Sequence, residues 1–462
     1  MIQFLETLAE ILWGPWMLLL VLGTGVYLTV GTRWLSVTKL KAAFSAALKG
    51  QPEAAGEVSG FGALCTSLAA TLGTGNIIGV ATAISAGGPG ALFWMMVAAF
   101  FGMATKYAEG YLAVLYRRRN REGTFLGGPF LYLELGMQKP FLAKIFAIAC
   151  VVTCLLSMGT TSQINGIVAA AEDFFDPNRA HLLTFGGYSI SLAALIAGAL
   201  TTLLVGLVLA GGIRRIASVA TFAVPFMAAL YCGLTLWLIL SRLPQIPAAT
   251  GLILHSAFMP RAALGGAAGI TIQKAIRFGL GRGIFSNEAG MGSDPIAAAA
   301  ARTDNPARQG LISMLGPFLD TVLMCTLTGY AVVLTDAWRV PDLSGAEITL
   351  YALQQLPLPD GFLSLLYMIC LLFFGFCSII GWSFYGEQSL RYLLPCHGGC
   401  VDWFRGIFLG VLFIGSFLSA EAVWSIADIF CALMAIPNLI GLLGLAEQVF
   451  QGTKHYFKKP PH

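Results

Sequence analysis

Charge is what this sequence has least of. Only 11% of its 462 residues are Asp, Glu, Lys or Arg, against about 25% in a soluble domain. A surface that poor in charge could not hold a chain of this size in water, which excludes an ordinary soluble enzyme and a disordered chain. The 27 basic and 23 acidic residues leave a net charge of +4 and no basic domain, which excludes a nucleic-acid binder. Histidine is scarce too. His181, His255, His397, His455 and His462 lie in loops, beside them or at the C-terminus, whereas a membrane enzyme would want catalytic groups clustered near an interface. There is no G-x-x-x-x-G-K-[ST] run, so no ATP-driven step is implied. No repeated filter sequence points to a channel. The opening MIQFLETLAE is acidic where a cleavable signal would be basic, so no signal peptide is expected.

What the sequence has is apolar length. It is 57% hydrophobic, with a mean hydropathy of +0.78. Apolar runs of about 20 residues recur, the length that spans a bilayer as helix; barrel strands would be about 10 residues and would alternate. The chain therefore reads as an all-α polytopic membrane protein without a soluble domain. Most of its ten cysteines sit in apolar runs and read as reduced, buried small hydrophobes. Cys396 and Cys400 flank His397, too few ligands for a metal site.

Eleven spans are expected: 11–31, 60–87, 89–116, 145–170, 183–209, 216–241, 266–300, 310–335, 361–390, 404–419 and 423–449. If the N-terminus is outside, 19 of the 27 basic residues fall in cytoplasmic segments and only Arg179, Arg242, Arg261 and Arg339 outside. That alternation predicts an outside N-terminus and a cytoplasmic C-terminus. The outside connections 242–265 and 336–360 read as short interfacial or re-entrant helices, and TFLGGPFLYLELGM at 125–138 as an amphipathic helix on the cytoplasmic face.

Two segments break the rule that polar, glycine-rich backbone is not found facing lipid. The first, in span 2, is Leu72-Gly73-Thr74-Gly75-Asn76, with apolar helix on either side. A discontinuous helix there would aim freed amides at an anion and freed carbonyls at a cation; close packing through small residues is the alternative. The second, in span 7, runs from Phe278 to Pro295 and contains five glycines with Arg282, Asn287, Glu288 and Asp294. It reads as a second broken helix, or as a loop between two short helices. Glu288 is expected to pair with a basic residue or to cap exposed amides, as a structural group first and a gate second. Each break opens a set of five spans, and five is odd, so the two sets run in opposite senses. That is an inverted 5+5 repeat, about 60–241 and 266–449, in a single transmembrane domain, with 11–31 as an extra N-terminal helix. Gln163 with Thr160, Thr161, Ser162 and Asn165 falls late in span 4, and Ser378 and Trp382 on span 9. Lys106, Glu109 and Asp320 read as internal pairs or water-facing groups.

The runs LGTGNIIGVATAISAGGPGALFWM, RGIFSNEAGMGSDPIAAAA and GWSFYGEQ resemble those of the alanine or glycine:cation symporter family, across essentially the whole chain. The resemblance implies a leucine-transporter-type fold and sodium-coupled symport of alanine or glycine into the cell across the bacterial plasma (inner) membrane. It implies no enzyme activity and no cofactor, with sodium as the coupling ion; in the lipid bilayer no obligate protein partner is expected, and the sequence does not settle monomer against dimer. Thr74, Gly75 and Asn76 would hold the substrate's carboxylate and amine. Gln163 would reach it from span 4, and Phe285 and Trp382 would wall a small side-chain pocket. Sodium would lie between the carbonyls of Ala69 and Leu72 and the side chains of Cys377 and Ser378, where a thiol is a poor hard-ion ligand. The resemblance does not choose among glycine, L-alanine and D-alanine. A proton-coupled symporter or exchanger on the same fold, with Glu288 or Asp320 titrating, is the alternative.

Overall fold

The computed structural model of the chain describes residues 7–9, 11–51, 53–120, 123–177, 180–185, 188–258, 272–343, 345–394, 399–418 and 420–458. Cys396 and His397, the first part of span 7 and the loop residues Arg121, Arg179 and Arg261 lie outside them.

Helix α1 (Pro15–Gly31) and the short α2 (Leu40–Leu48) precede the first interrupted span. That span is α3 (Gly60–Thr71), a 3-10 turn at Thr74–Asn76, and α4 (Ile78–Gly87). Its two halves meet at 67°. Ser59 caps α3 by accepting from the Gly62 amide at 2.9 Å, the side-chain cap that a helix start favours. Next comes α5 (Gly90–Tyr116), followed by a two-stranded turn in which β1 (Arg118–Arg119) pairs antiparallel with β2 (Phe125–Leu126).

The segment 125–138 is not an amphipathic surface helix. Its chain forms β2, one turn at Pro129–Leu131 and a wide turn at Tyr132–Gly136, with Phe130, Tyr132 and Leu133 fully buried. The reason is close backbone approach. A Cβ on Gly127 would stand 2.4 Å from the Ala299 methyl, and Gly128 holds φ +138 against Ile296.

α6 (Pro140–Leu156) and α7 (Thr161–Phe175) form one 36-residue span with an interruption between them. Span 5 is shorter than expected: β3 (Leu182–Phe185) pairs antiparallel with β4 (Tyr188–Ser191), and α8 (Leu192–Leu209) begins only after them. Ser191 caps α8 by accepting from the Ala194 amide. α9 (Gly212–Ser241) and α10 (Ile246–Phe258) complete the first half.

The second interrupted span is α11 (Ile272–Asn287) and the short α12 (Asp294–Ala298). α13 (Pro306–Leu334) contains a π-helical stretch at Phe318–Cys325. Then follow α14 (Ala346–Leu353), α15 (Asp360–Leu393), α16 (Gly399–Gly415), α17 (Ala420–Gly444) and α18 (Ala446–Lys458). The last expected span ends early. Its helix bends by 57° between Gly444 and Ala446 and continues as α18.

Among the described residues six helices are long and apolar enough to cross a membrane, or up to eight if each bent pair is one span. Breaks and short helices account for much of the shortfall from eleven. Depth follows composition. The apolar windows of α5 and α13 are 67% buried and that of α8 only 33%. On α8, Ile196, Leu200, Leu203 and Leu207 are all more than half exposed, a helical stripe with no protein covering it that suits lipid.

Basic loops meet at one end of the bundle. Arg308 donates to the carbonyls of Ala46 and Lys49, Lys39 lies 4.6 Å from the Phe457 ring centroid, and Arg391 and Arg405 share Glu387. At the opposite end Arg242 donates to the Leu334 carbonyl at 3.0 Å.

Candidate functional site

The first break comes from a diverted hydrogen bond. The Gly73 amide turns to the Thr71 carbonyl at 2.9 Å, so the Ala69 carbonyl loses its helical donor. Ser378, on α15, donates to the neighbouring Ala70 carbonyl at 2.9 Å, not back to its own helix. Gly381 packs so closely that an added Cβ would stand 2.8 Å from Ala70. Ala69, Leu72, Cys377 and Ser378 are all buried. The structure thus brings the end of α3 against the face of α15 that carries Cys377 and Ser378.

Beyond Gly73 the polar groups converge. Gln163, on α7, accepts from the Thr74 amide at 3.4 Å and from the Thr74 hydroxyl at 3.3 Å. Its amide lies beside Gly73, where an added Cβ would stand 3.0 Å from Oε1. Gln163 reaches this position because its own span is interrupted. The hydroxyls of Thr160, Thr161 and Ser162 donate to the carbonyls of Leu155, Leu156 and Ser157 at 2.6, 2.8 and 3.1 Å. Gly75 is exposed in the middle of this buried polar set, and a Cβ built there meets nothing within 4 Å. Open space therefore touches the backbone at the break.

Asn76 turns the other way, toward the second broken span. Its amide donates to Ser286 Oγ at 3.0 Å and to Asp320 Oδ1. Its carbonyl accepts from Thr328 at 3.1 Å. Asp320 also accepts from Ser286 at 3.1 Å and from Thr321 at 3.0 Å. Sequence reasoning placed Asp320 among internal pairs or water-facing groups and gave it a role only in the proton-coupled alternative. The signal available was a carboxylate alone in an apolar run. The π turn that carries it, a feature frequent at functional sites, leaves no mark in the sequence. Asp320 is completely buried, and its hydrogen-bond donors among the described residues are all neutral.

The two aromatics expected to face one pocket have different partners. The Phe285 ring lies 4.7 Å from Trp13 of the N-terminal segment. Trp382 is fully buried, stacks edge-on to Tyr385 at 5.5 Å and donates through Nε1 to Glu288 at 3.2 Å. No contact between Phe285 and Trp382 is seen among the described residues.

Among the described residues Glu288 neither pairs directly with a base nor caps an amide. Its donors are Ser293 and Trp382. Glu109 is the residue that caps the second break, accepting from the Gly290 amide at 3.1 Å and from Asn438 at 2.7 Å. The left-handed turns at Glu288, Gly290 and Gly292 (φ 53, 89 and 83) reverse the chain there. At Gly292 an added Cβ would be 2.7 Å from Pro129, so glycine is the side-chain-free residue that position needs. Asp294 accepts from Ser67 on α3, joining the two broken spans. The Lys106 ammonium is buried without a hydrogen-bond partner but within electrostatic reach of Glu109, Glu288 and Asp320.

Two interrupted helices with polar groups at both breaks are the layout of a transporter site. The description "Sodium:alanine symporter family" matches residues 1–462. The chain belongs to this family. An uncharacterised transporter of Haemophilus influenzae is 46% identical over 99% of the chain and 96% of its own length. The sodium/alanine symporter AgcS of Methanococcus maripaludis is 41% identical over 98% and 97%. The probable sodium/glutamine symporter GlnT of Bacillus subtilis is 36% identical over 97% and 89%. A manganese transporter of Eremococcus coleocola shares the fold at 14% identity, with a TM-score of 0.50 over 83% of this chain and 76% of that one. Family membership makes the protein a multi-pass, leucine-transporter-type membrane protein. Its class of activity is cation-coupled amino-acid symport, not enzymatic catalysis.

Proposed function

We propose that the protein carries alanine or glycine into the cell with sodium, by alternating access across a bacterial plasma membrane. One observation supports this most: Gly75 is exposed to open space inside a ring of buried polar side chains at the break of span 2. The Gly75 amide at the break suits a carboxylate, while the Thr74 and Asn76 amides are taken by Gln163 and the Gly73 carbonyl. Asp320, beside Asn76, supplies the negative charge that an ammonium group requires. Gln163 fixes the Thr74 backbone. Sodium takes the freed carbonyls of Ala69 and Leu72 with Ser378, and Cys377 adds little. Trp382 acts through Glu288, and Phe285 walls the approach from the Trp13 side.

The repeat halves 60–241 and 266–449 form the inverted pair, and 11–31 stands outside the core. The basic loops gathered at one end of the bundle make that end cytoplasmic, so the N-terminus is outside. The membrane potential adds about 2.3 kcal/mol per charge per 100 mV to the drive.

The test is uptake of labelled alanine and glycine into proteoliposomes under an inward sodium gradient, with choline replacement. Sodium-dependent uptake that Asn76→Ala abolishes is the expected outcome. Uptake that ignores sodium and follows a proton gradient would transfer the coupling role to a buried carboxylate, Asp320 or Glu288, each held by neutral donors among the described residues. Uptake of neither amino acid would refute the substrate.

A further inference from the structure

Where α1 meets α18, the bundle encloses a cavity of about 450 Å³, walled by the end of α1, the turn after it and α18. α18 turns 57° from the helix before it and is fixed against its neighbours. Thr453 shares a hydrogen bond of 2.8 Å with Tyr107 on α5, and a Cβ on Gly31 would collide with the Phe450 ring. The consecutive residues Arg33 and Trp34 hold φ 59 and 57, a left-handed conformation that side chains rarely adopt. That double turn ends α1 and brings Leu35 and Lys39 onto the same cavity as α18.

The lining is lopsided in charge. Arg33, Lys39, Lys454 and Lys458 border the cavity, against one carboxylate, Glu447. Gln451 occupies that carboxylate, donating to it at 2.8 Å. Among the described residues none of the four cations has an ion pair within 4.0 Å. Lys39 rests 4.6 Å from the Phe457 ring centroid. Like charges around one hollow repel each other unless an anion sits among them, and a phosphate suits arginine and lysine together.

The surroundings indicate what carries the phosphate. Tyr27 and Val30, on α1, are about half exposed and apolar. The Tyr27 ring packs on Phe450 at 5.6 Å, so this strip runs into the cavity wall. A soluble anion has no use for such a strip, whereas acyl chains can lie along it. Trp34, half exposed beside the mouth, is the residue type that sits at a membrane–water interface. At about 30 Å³ per water, the cavity holds about fifteen water-sized groups, room for a phosphodiester with glycerol on either side. A choline or ethanolamine headgroup would add a fifth cation to four.

We propose that this cavity holds the headgroup of an anionic phospholipid, its phosphodiester among Arg33, Lys39, Lys454 and Lys458 and its acyl chains along Tyr27 and Val30. The lipid closes the seam between α1 and α18. The inference goes beyond transport and does not depend on which substrate is carried.

The experiment titrates the full-length protein, in a neutral detergent, with phosphatidylglycerol labelled on an acyl chain. Saturable binding is expected, displaced by unlabelled phosphatidylglycerol and by neither phosphatidylcholine nor inorganic phosphate. Arg33→Gln and Lys454→Gln should each weaken it about fivefold, and the double variant about twenty-fivefold. Lys144→Gln, an exposed cation of α6 that does not line the cavity, should leave the affinity unchanged. Arg33 and Lys454 are exposed, so their variants should melt like the wild type without lipid. Added phosphatidylglycerol should then raise the melting temperature of the wild type more than that of the double variant. Wild-type affinity in the double variant would overturn the proposal, as would an equal melting shift. Displacement by phosphatidylcholine would reduce the cavity to an apolar surface, and displacement by inorganic phosphate would make it a soluble-anion site; either refutes the lipid. An equal loss in Lys144→Gln would replace the cavity with diffuse surface attraction.

Discussion

Asp320 carries the largest electrostatic demand of any single residue near the break. Its carboxylate is fully buried, and Asn76, Ser286 and Thr321 are its hydrogen-bond donors. Three neutral donors do not offset the cost of an ionised carboxylate away from water. A bound cation, a substrate ammonium or a proton does. Asp320→Asn keeps the shape and most hydrogen-bonding atoms. We expect it to leave thermal stability near the wild type and to cut sodium-driven uptake about tenfold or more. A thermal melt and an initial uptake rate, measured side by side, check this; equal uptake would remove Asp320 from the site. At this scale legibility was uneven. Gly73, Gly75 and Asn76 announce themselves because glycine and amide are costly in a membrane helix. Asp320 does not, because a lone aspartate in an apolar run looks the same whether it faces water, a base or a ligand. Phe285 and Trp382 have different partners, and an aromatic carries no sign in the sequence of which neighbour it will choose.

Among the elements, the breaks were legible and their fastening was not. The strand-like segment entering α3 lies beside the one leaving α12. The Glu57 amide donates to Ala300 at 2.8 Å, the Arg302 amide to Val58 at 2.7 Å, and Val58 and Ala301 form a parallel bridge. Arg117, just past α5, then donates to the carbonyls of Ala55, Ala299, Ala301 and Thr303 at 2.9, 2.9, 2.7 and 2.5 Å. One guanidinium therefore holds the inner ends of both broken spans. Backbone carbonyls as acceptors leave no sequence signature, so Arg117 read as one more basic loop residue. Arg117→Ala should destabilise the fold by about 3 kcal/mol, the cost of several charge-assisted hydrogen bonds lost with their acceptors only partly re-solvated. Lysine cannot reproduce the fork, so Arg117→Lys should recover less than half of the loss in a thermal melt.

Glu57, beside this clamp, is pushed above the usual carboxylate range chiefly by burial, against the pull of the Phe125 amide and nearby arginines. A raised carboxyl favours its protonated form in the folded state. Its contribution is fully present below pH 4.5, the ordinary value, and is lost as pH rises through the raised one. Glu57→Gln should flatten the pH dependence of melting in that window. An unchanged profile would show that Glu57 does not set it.

For the molecule as a whole, the count of spans was the least readable property. Hydropathy finds apolar length whether it becomes a straight helix, a strand pair such as β3 and β4 or two halves at 67°. The sidedness of basic loops survives those errors, since it depends on which end of a segment emerges and not on its shape. Gln245 and Gln451 are both exposed, near Arg242 at one end and Lys454 at the other. Cysteine placed at 245 should react with a membrane-impermeant thiol reagent in intact cells, and cysteine at 451 only after permeabilisation. The reverse pattern would invert the topology.

Some partners of the N-terminal segment come from the far end of the chain. Trp13 donates to Asp428, Phe450 fills the space over Gly31, and Lys39 lies over Phe457. At about 5–20 residues per second, the roughly 400 residues between these partners take about 20–80 s to synthesise. For that interval the opening helix sits in the bilayer without its closing partners. Biogenesis of this protein is thus bracketed in time: the segment inserted first packs on α5, where Gly25 lies against Phe101, long before α17 and α18 emerge to complete its contacts.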